Sequence, residues 1–229
     1  MINLIKWVMR ILYHPKKQLF TPINFGLLYN WWAISDARNI AAAGWHIPTY
    51  TENETLFTYL GGRSVAGGKL KATGYDWWNS PNTGATNESG FNLKGNGIRN
   101  PISGGFTSLK VLNMFMSSNE YSSTMQHSSG AANTSESVGG IYTQKTQGGN
   151  PRILKDSTTL SDGQTGTYTG NDGKVYRTIC IGDQEWLADN LAETKYRNGD
   201  TIPEVTDNAA WAALTTGALC AYANDWNNV

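Results

Sequence analysis

The chain has 229 residues, and its 18 Lys and Arg residues balance its 18 Asp and Glu residues. This balance gives no overall field that would favour nucleic acid or an acidic partner, and 9 Trp, 11 Tyr and 6 Phe exclude general disorder. The 25 Gly residues, with many Asn, Ser and Thr, predict short elements joined by frequent turns rather than a helical bundle.

Residues 1–20 form the first predicted unit, an amphipathic helical segment. Lys6 and Arg10 lie on one helical stripe with Asn3, and apolar residues cover the rest of the surface. We expect Met1–Leu19 to pack on a partner subunit of a homo-oligomer or on the domain itself, and a frayed terminus is the alternative. The segment is too short and too interrupted by charge to span a bilayer, so we expect no membrane span.

Residues 21–229 are predicted to form a single domain. Phe25–Ser35 is an apolar and aromatic run that predicts a buried strand. A helix should follow, with Thr49 or Thr51 as N-cap, acidic residues in its first turn and Gly61-Gly62 as its end. The next stretch, GGRSVAGGKLKATG, lacks the spacing of a phosphate-binding loop, so no phosphate site is predicted there.

The stretch from Asn113 to Asp156 shows neither helical nor strand period, because Ser, Thr, Asn, Gln and Gly replace most strongly apolar residues. Patterned sequence flanks it on both sides, so it is not a tail. Long irregular segments inside a domain are either disordered or functional surface on a rigid scaffold. We interpret residues 113–156 as a ligand-binding segment, and a flexible insertion is the alternative.

The last third of the chain predicts antiparallel sheet. Asn171-Asp172-Gly173 should be a hairpin turn, and Gly182-Asp183 should turn the chain again. A second helix is indicated by VTDNAAWAALTTG, with Thr206 or Asp207 as its cap. Aromatic side chains patterned with aliphatic ones dominate cores, so we expect five tryptophans to be largely buried: Trp31, Trp32, Trp45, Trp186 and Trp211.

Residues that carry metal, redox or acid–base chemistry are sparse. Cys180 and Cys220 can form a disulfide or remain as two buried free thiols, and neither has a CxxC partner or a nearby His. His46, between Trp45 and Pro48, is interpreted as a packed structural histidine. We therefore predict no catalysis and no cofactor, while a structural calcium ion stays open.

Seven motifs resemble the Fibrobacter succinogenes major paralogous domain in wording and spacing, over roughly residues 25–226. They are GLLYNWWA, GWHIPTYTENETLFTYLGG, GGKLKATG, WNSPNTGATNESGFN, MSSNEYSS, DGKVYRTICIGDQEWLADNL and TDNAAWAALTTG. The resemblance implies an α+β, C-type-lectin-like fold, in which two helices pack on a twisted antiparallel sheet that supports a long irregular loop region.

The order of the motifs resembles that of variable proteins of diversity-generating retroelements, which bacteriophages of gut bacteria often encode. In those proteins a diversified segment begins near a W-W-S-S-T-E-Y-like motif, which reads FMSSNEY at Phe115–Tyr121 here. Phe115, Met116 and Asn119 depart from the usual motif, as residues of a diversified segment would.

The resemblance and the composition together predict a non-catalytic ligand-binding protein on a virion or a cell surface. Its partner would be a protein or glycan ligand on a host or target cell, used for receptor binding or adhesion. Calcium-dependent lectins and formylglycine-generating-type enzymes are the alternative classes. The predicted ligand contacts are Met114, Met116, Asn119, Met125, Gln126, His127, Ser128, Thr134, Ser135, Tyr142, Thr143, Gln147 and Asn150.

Overall fold

The computed structural model describes residues 24–229. The predicted helix over residues 1–19 lies outside the described residues. Within residues 24–229 no helix is both long and apolar enough to cross a bilayer.

The described residues form short strands and shorter helices. The strands are β1 (Leu27–Tyr29), β2 (Trp45–His46), β3 (Asn96–Arg99), β4 (Phe106–Leu109), β5 (Leu112–Glu120), β6 (Met125–Ala132), β7 (Val138–Gln144), β8 (Leu154–Lys155), β9 (Thr165–Thr169), β10 (Val175–Ile181), β11 (Gln184–Leu187) and β12 (Leu219–Ala221). The α-helices are α1 (Trp31–Ile34), α2 (Tyr50–Tyr59), α3 (Arg63–Leu70) and α4 (Asn208–Ala212), and 3-10 turns cover Tyr222–Asn224 and Trp226–Asn228.

The predicted C-type-lectin-like arrangement of two helices on a sheet is wrong. The described chain is mostly β, with a curled, half-barrel sheet and four small helices. The second predicted helix, α4, has only five residues, because Asp207 caps its start and Ala213 already ends it. The predicted strand over Phe25–Ser35 stops at Tyr29, since Asn30 caps the short helix α1 with its side chain.

Helix α3 forms where the sequence predicted no element. Its glycines allow close packing, because a Cβ atom on Gly67 would lie 2.5 Å from the Ser137 carbonyl oxygen. A Cβ atom on Gly68 would lie even closer to the Gly84 carbonyl oxygen. Glycine normally disfavours a helix interior, but here it lets the helix reach neighbouring backbone that any side chain would exclude.

The predicted N-cap of the first long helix and the predicted hairpin turn are both present in the structure. Thr49 caps α2 in a capping box, in which its hydroxyl accepts from the Glu52 N–H and the Glu52 carboxylate accepts from the Thr49 N–H. The turn at Asn171–Gly173 joins β9 to β10, with Tyr176 opposite Tyr168 in the antiparallel register. Both predictions are confirmed.

The largest sheet joins segments that lie far apart in the chain. Its strand order is β2-β8-β11-β10-β9, so the GWHIPT segment and the EWLADNL segment lie in one sheet. Strands β5, β6 and β7 form a separate antiparallel sheet, while β1 pairs with β12 and β3 pairs with β4. These sheets enclose two large clusters of buried apolar side chains and a smaller third one around Trp211.

The tryptophan prediction is confirmed for three of its five residues. Trp45, Trp186 and Trp211 are buried. Trp31 and Trp32 are only half-buried, because they lie on α1 at the surface rather than in the expected strand.

A buried guanidinium ties two segments of the core together. Arg152 is fully buried and donates to the carbonyl oxygens of Phe91 (3.0 Å) and Leu187 (2.8 Å) and to Oδ1 of Asn190 (2.7 Å). Burial lowers its pKa to about 9, so the group stays charged at neutral pH. Removal of this cation would leave several buried acceptors without donors.

We expect Arg152→Lys to lower the free energy of unfolding by about 3 kcal/mol, because an ammonium cannot reproduce the forked donor geometry in a buried site. Urea unfolding followed by tryptophan fluorescence measures this. Lys69→Arg, at a surface ion pair with Glu88, should leave the midpoint nearly unchanged. Equal midpoints for the two variants would contradict a structural role of Arg152.

Candidate functional site

Residues 113–156 are not a long irregular loop, so this part of the fold prediction is also wrong. Most of them lie in the antiparallel meander β5-β6-β7, in which His127 pairs with Tyr142 and Met116 pairs with Ser128. The strand period is hidden in the sequence, because several inward-facing positions carry Ser, Thr, Gln or Asn instead of aliphatic residues.

Strand β5 is buried on both faces. Met114 and Met116 point into the first apolar cluster, and Phe115 points into the second, where its ring lies 5.9 Å from the rings of Phe57 and Phe91. Successive side chains of a strand face opposite sides, which places the two methionines opposite Phe115. A ligand approaching from solvent would not reach Met114 or Met116.

Other candidate residues are buried polar groups with partners inside the protein. The Ser128 and Thr143 hydroxyls lie 3.1 Å apart across β6 and β7. Asn150 donates to the Leu27 and Leu191 carbonyl oxygens at 2.6 and 2.8 Å, and accepts from the Leu191 N–H at 3.0 Å. The hydrogen bonds of Ser128, Thr143 and Asn150 therefore stabilise the fold. Gln126 and Gln147 are buried as well, but Gln126 Oε1 and Gln147 Nε2 have no hydrogen-bond partner among the described residues.

Six candidate residues are exposed or half-buried: Asn119, Met125, His127, Thr134, Ser135 and Tyr142. Thr134 and Ser135 lie in the turn after β6, at the opposite end of that strand from Met125 and His127. The structure therefore gathers only Asn119, Met125, His127 and Tyr142 near one end of the meander.

An aromatic patch forms at that end, and we define it as Tyr50, Tyr121, His127 and Tyr142. The rings of Tyr121 and Tyr142 are stacked, with centroids 3.8 Å apart and planes 17° apart. The His127 imidazole contacts both tyrosines edge-on, at 5.3 and 5.2 Å, and lies 4.9 Å from the Tyr50 ring. Tyr121 and Tyr142 remain 52% and 54% exposed.

Sequence reasoning missed Tyr50 and Tyr121 as members of this patch. Tyr121 closes the FMSSNEY motif, so the motif contained a signal for it. Tyr50 lies more than sixty residues earlier in the chain, and only the tertiary fold brings it to His127. Its N–H donates to Oδ1 of Asn119 at 2.6 Å, which fixes the start of α2 against the end of β5.

Arg63 supports the patch from α3. Its Nη2 group donates to the Tyr50 hydroxyl and to Ser129 Oγ, both at 3.2 Å, and its guanidinium forms an ion pair with Glu54. Burial alone would lower the pKa of Arg63, but the Glu54 carboxylate raises it, so the guanidinium stays charged. The ion pair cancels the charge beside the patch.

His46 lines a separate cavity of about 340 Å³ with Asp36, Thr49, Glu52 and Ser118. Its Nδ1 atom lies 2.6 Å from Asp156 Oδ1, and its Nε2 atom lies 3.1 Å from Glu52 Oε1. The ring is half-buried rather than packed in the core. Carboxylates of the protein therefore engage both nitrogens of the ring and fix its orientation at the edge of the cavity.

Cys180 and Cys220 are buried free thiols, which decides between the two alternatives left by the sequence. Burial raises the pKa of Cys220 to about 11 and also raises that of Cys180, so neither is an activated thiolate at neutral pH. Within residues 24–229 no group of three or more His, Cys, Asp or Glu side chains is arranged to hold a metal ion.

The candidate residues should separate into two classes in stability measurements. We expect Asn150→Ala to lower the free energy of unfolding by about 2–3 kcal/mol, because buried backbone groups lose their partners. Tyr142→Ala should cost about 1 kcal/mol or less, since it removes only surface ring contacts, with Tyr121 and His127. Thermal and urea unfolding of both variants test this, and a larger loss for Tyr142→Ala would assign that ring to the core.

A family model described as the Fibrobacter succinogenes major domain matches residues 11–163. The match includes β5, β6, β7 and all four residues of the aromatic patch, and it ends before the β9–β10 hairpin. Neither the curated proteins nor the solved structures contain a significant match to the chain.

Proposed function

The chain belongs to the Fibrobacter succinogenes major domain family, and we propose that it is a non-catalytic ligand-binding protein whose recognition surface is the aromatic patch. The observation that supports this most is the stacked pair of Tyr121 and Tyr142, because both rings are about half-exposed although they pack on each other. Clustered exposed aromatic side chains on a soluble domain often mark interaction sites.

The patch has the physical properties of a binding surface. Tyrosine provides a large contact area with few rotatable bonds, so little conformational entropy is lost on binding. His127 Nδ1 is buried and has no hydrogen-bond partner among the described residues, and Asn119 holds Tyr50 in place. Contacts from α2, β6 and the turn after β5 order the rings before any ligand arrives, which reduces the cost of association.

The chemistry of the patch favours a ligand with an apolar or planar face and polar edges. Arg63 and Glu54 neutralise each other, so the patch presents rings, amides and hydroxyls rather than net charge. We propose a protein or glycan on a host or target cell surface as the ligand. The protein would then be displayed on a virion or a cell surface for receptor binding or adhesion.

We further propose that three of the four patch positions, Tyr121, His127 and Tyr142, belong to a segment varied by a diversity-generating retroelement. Several side chains of the meander are exposed, so their substitution would remove few contacts from the hydrophobic core. Such variation requires positions of this kind. The coding DNA tests this proposal. A nearby near-identical repeat that differs at adenines of codons 115–150 is expected, and its absence from the locus would contradict the proposal.

Ligand binding should depend on the stacked tyrosines. Glycan and surface-protein arrays probed with the labelled full chain would first identify a bound ligand. The Tyr121→Ala/Tyr142→Ala double variant should then weaken binding about 30-fold, as expected for the loss of a central anchor worth roughly 2 kcal/mol.

Tyr75→Ala is the matched control, because Tyr75 is 62% exposed and lies outside the patch. It should bind as the unmodified chain does. A double variant that keeps its melting temperature and binds every array hit unchanged would show that the patch is not the recognition surface.

A further inference from the structure

Trp32 lies between two surface cavities that the aromatic patch does not include. The cavity on one side measures about 500 Å³ and the one on the other side about 510 Å³, and Thr215 also borders both. The remaining residues around the first cavity are Ser123, Thr124, Met125, Gln144, Lys145, Thr146 and Ala212. Each volume lies in the range of small-molecule sites.

Buried hydrogen bonds hold the walls of this groove around Trp32. Asn30 caps α1 through the Ala33 N–H and donates from Nδ2 to the Thr216 carbonyl oxygen at 2.8 Å. Its Oδ1 atom also accepts from the Ala218 N–H at 3.1 Å. Asn30 is fully buried, so it fixes the Thr215 loop relative to the Trp32 indole.

The opposite wall is fixed in the same way. The Trp31 N–H donates to the Lys145 carbonyl oxygen at 3.0 Å, and Trp211 Nε1 donates to the Thr146 carbonyl oxygen at 2.7 Å. Both cavities are therefore bounded by backbone that internal hydrogen bonds position before a ligand binds.

Several polar side chains around Trp32 have unused hydrogen-bonding capacity. In the described part of the chain, the side chains of Ser123, Thr124, Gln144 and Thr215 make no hydrogen bond to protein, and neither does the Trp32 indole N–H. Hydroxyls and amides both donate and accept, and they surround an aromatic ring here. Such a lining matches a ligand that carries many hydroxyl groups on an apolar ring.

The charged residues of the groove are neutralised internally. Lys145 pairs with Glu120 at 3.0 Å, and its ammonium lies 4.2 Å from the centre of the Trp31 ring. On the other side Asp36 pairs with Arg38 at 2.8 Å. A charged ligand would meet no unpaired opposite charge on these walls, so the lining favours a neutral one.

We propose that the two cavities form one binding groove for a neutral carbohydrate, with a pyranose ring resting on the Trp32 indole. The ring's apolar C–H face packs on the indole, and its hydroxyls bond to Gln144, Thr124 and Thr215. This groove is a second site, independent of the aromatic patch. The two sites are neighbours, because Met125 and Gln144 pair in the sheet and the next pair on that face is His127 with Tyr142.

Titration of the ¹⁵N-labelled full chain with neutral tetrasaccharides tests the proposal, using cellotetraose, maltotetraose and mannotetraose. At least one should shift the Trp32 indole N–H signal, which Trp32→Phe assigns. Trp32→Ala should weaken that binding about tenfold or more, as expected for an aromatic anchor. Gln144→Ala and Thr215→Val should weaken it several-fold, because each removes a hydrogen-bonding group.

Trp226→Ala is the control, since Trp226 is 45% exposed and does not line either cavity. It should bind the saccharide unchanged. The proposal is overturned if no neutral saccharide shifts the Trp32 indole N–H signal, or if folded Trp32→Ala binds the saccharide as tightly as the unmodified chain. It is also overturned if anionic oligogalacturonate or an uncharged Gly/Ser peptide binds more tightly than every neutral saccharide. None of these outcomes bears on the aromatic patch.

Discussion

The burial of β5 on both faces is the constraint on which the rest of the structure depends. Its side chains alternate between two apolar clusters, with Met114 and Met116 on one side and Phe115 on the other. A strand in this position cannot shift by one residue without exchanging the two sets of side chains. The register of β5 therefore fixes β6 and β7, and through them the placement of His127 and Tyr142.

Buried cations let a chain rich in small polar residues form such a core. Arg152, Arg99 and Lys71 are buried, and they donate mainly to backbone carbonyl oxygens of loops. Lys71 Nζ reaches the carbonyl oxygens of Thr83, Ala132 and Ser135 at 2.8–3.0 Å. Irregular segments expose many backbone acceptors, and one multivalent donor satisfies several of them together.

The sequence predicted the elements that depend on local chemistry. The capping box at Thr49 and the turn at Asn171–Gly173 depend only on neighbouring residues, so the sequence alone predicted them. The β5-β6-β7 meander was not predicted, because buried positions such as Gln126 and Ser128 are polar and hide the alternation of a strand. For the same reason the sequence could not separate the buried from the exposed candidate residues of this segment, and it gave no sign that Tyr50 lies beside His127.

The placement of the aromatic patch on paired strands has an evolutionary consequence. A recognition loop can change in length, but insertion of one residue into β6 would turn every following side chain to the other face. Under the proposed function, new specificities would therefore arise here by substitution alone, and mainly at alternate positions such as Met125, His127, Tyr142 and Gln144. The range of ligands that such a surface could bind would then depend on the side chains at a few strand positions, while the backbone of β6 and β7 stays constant.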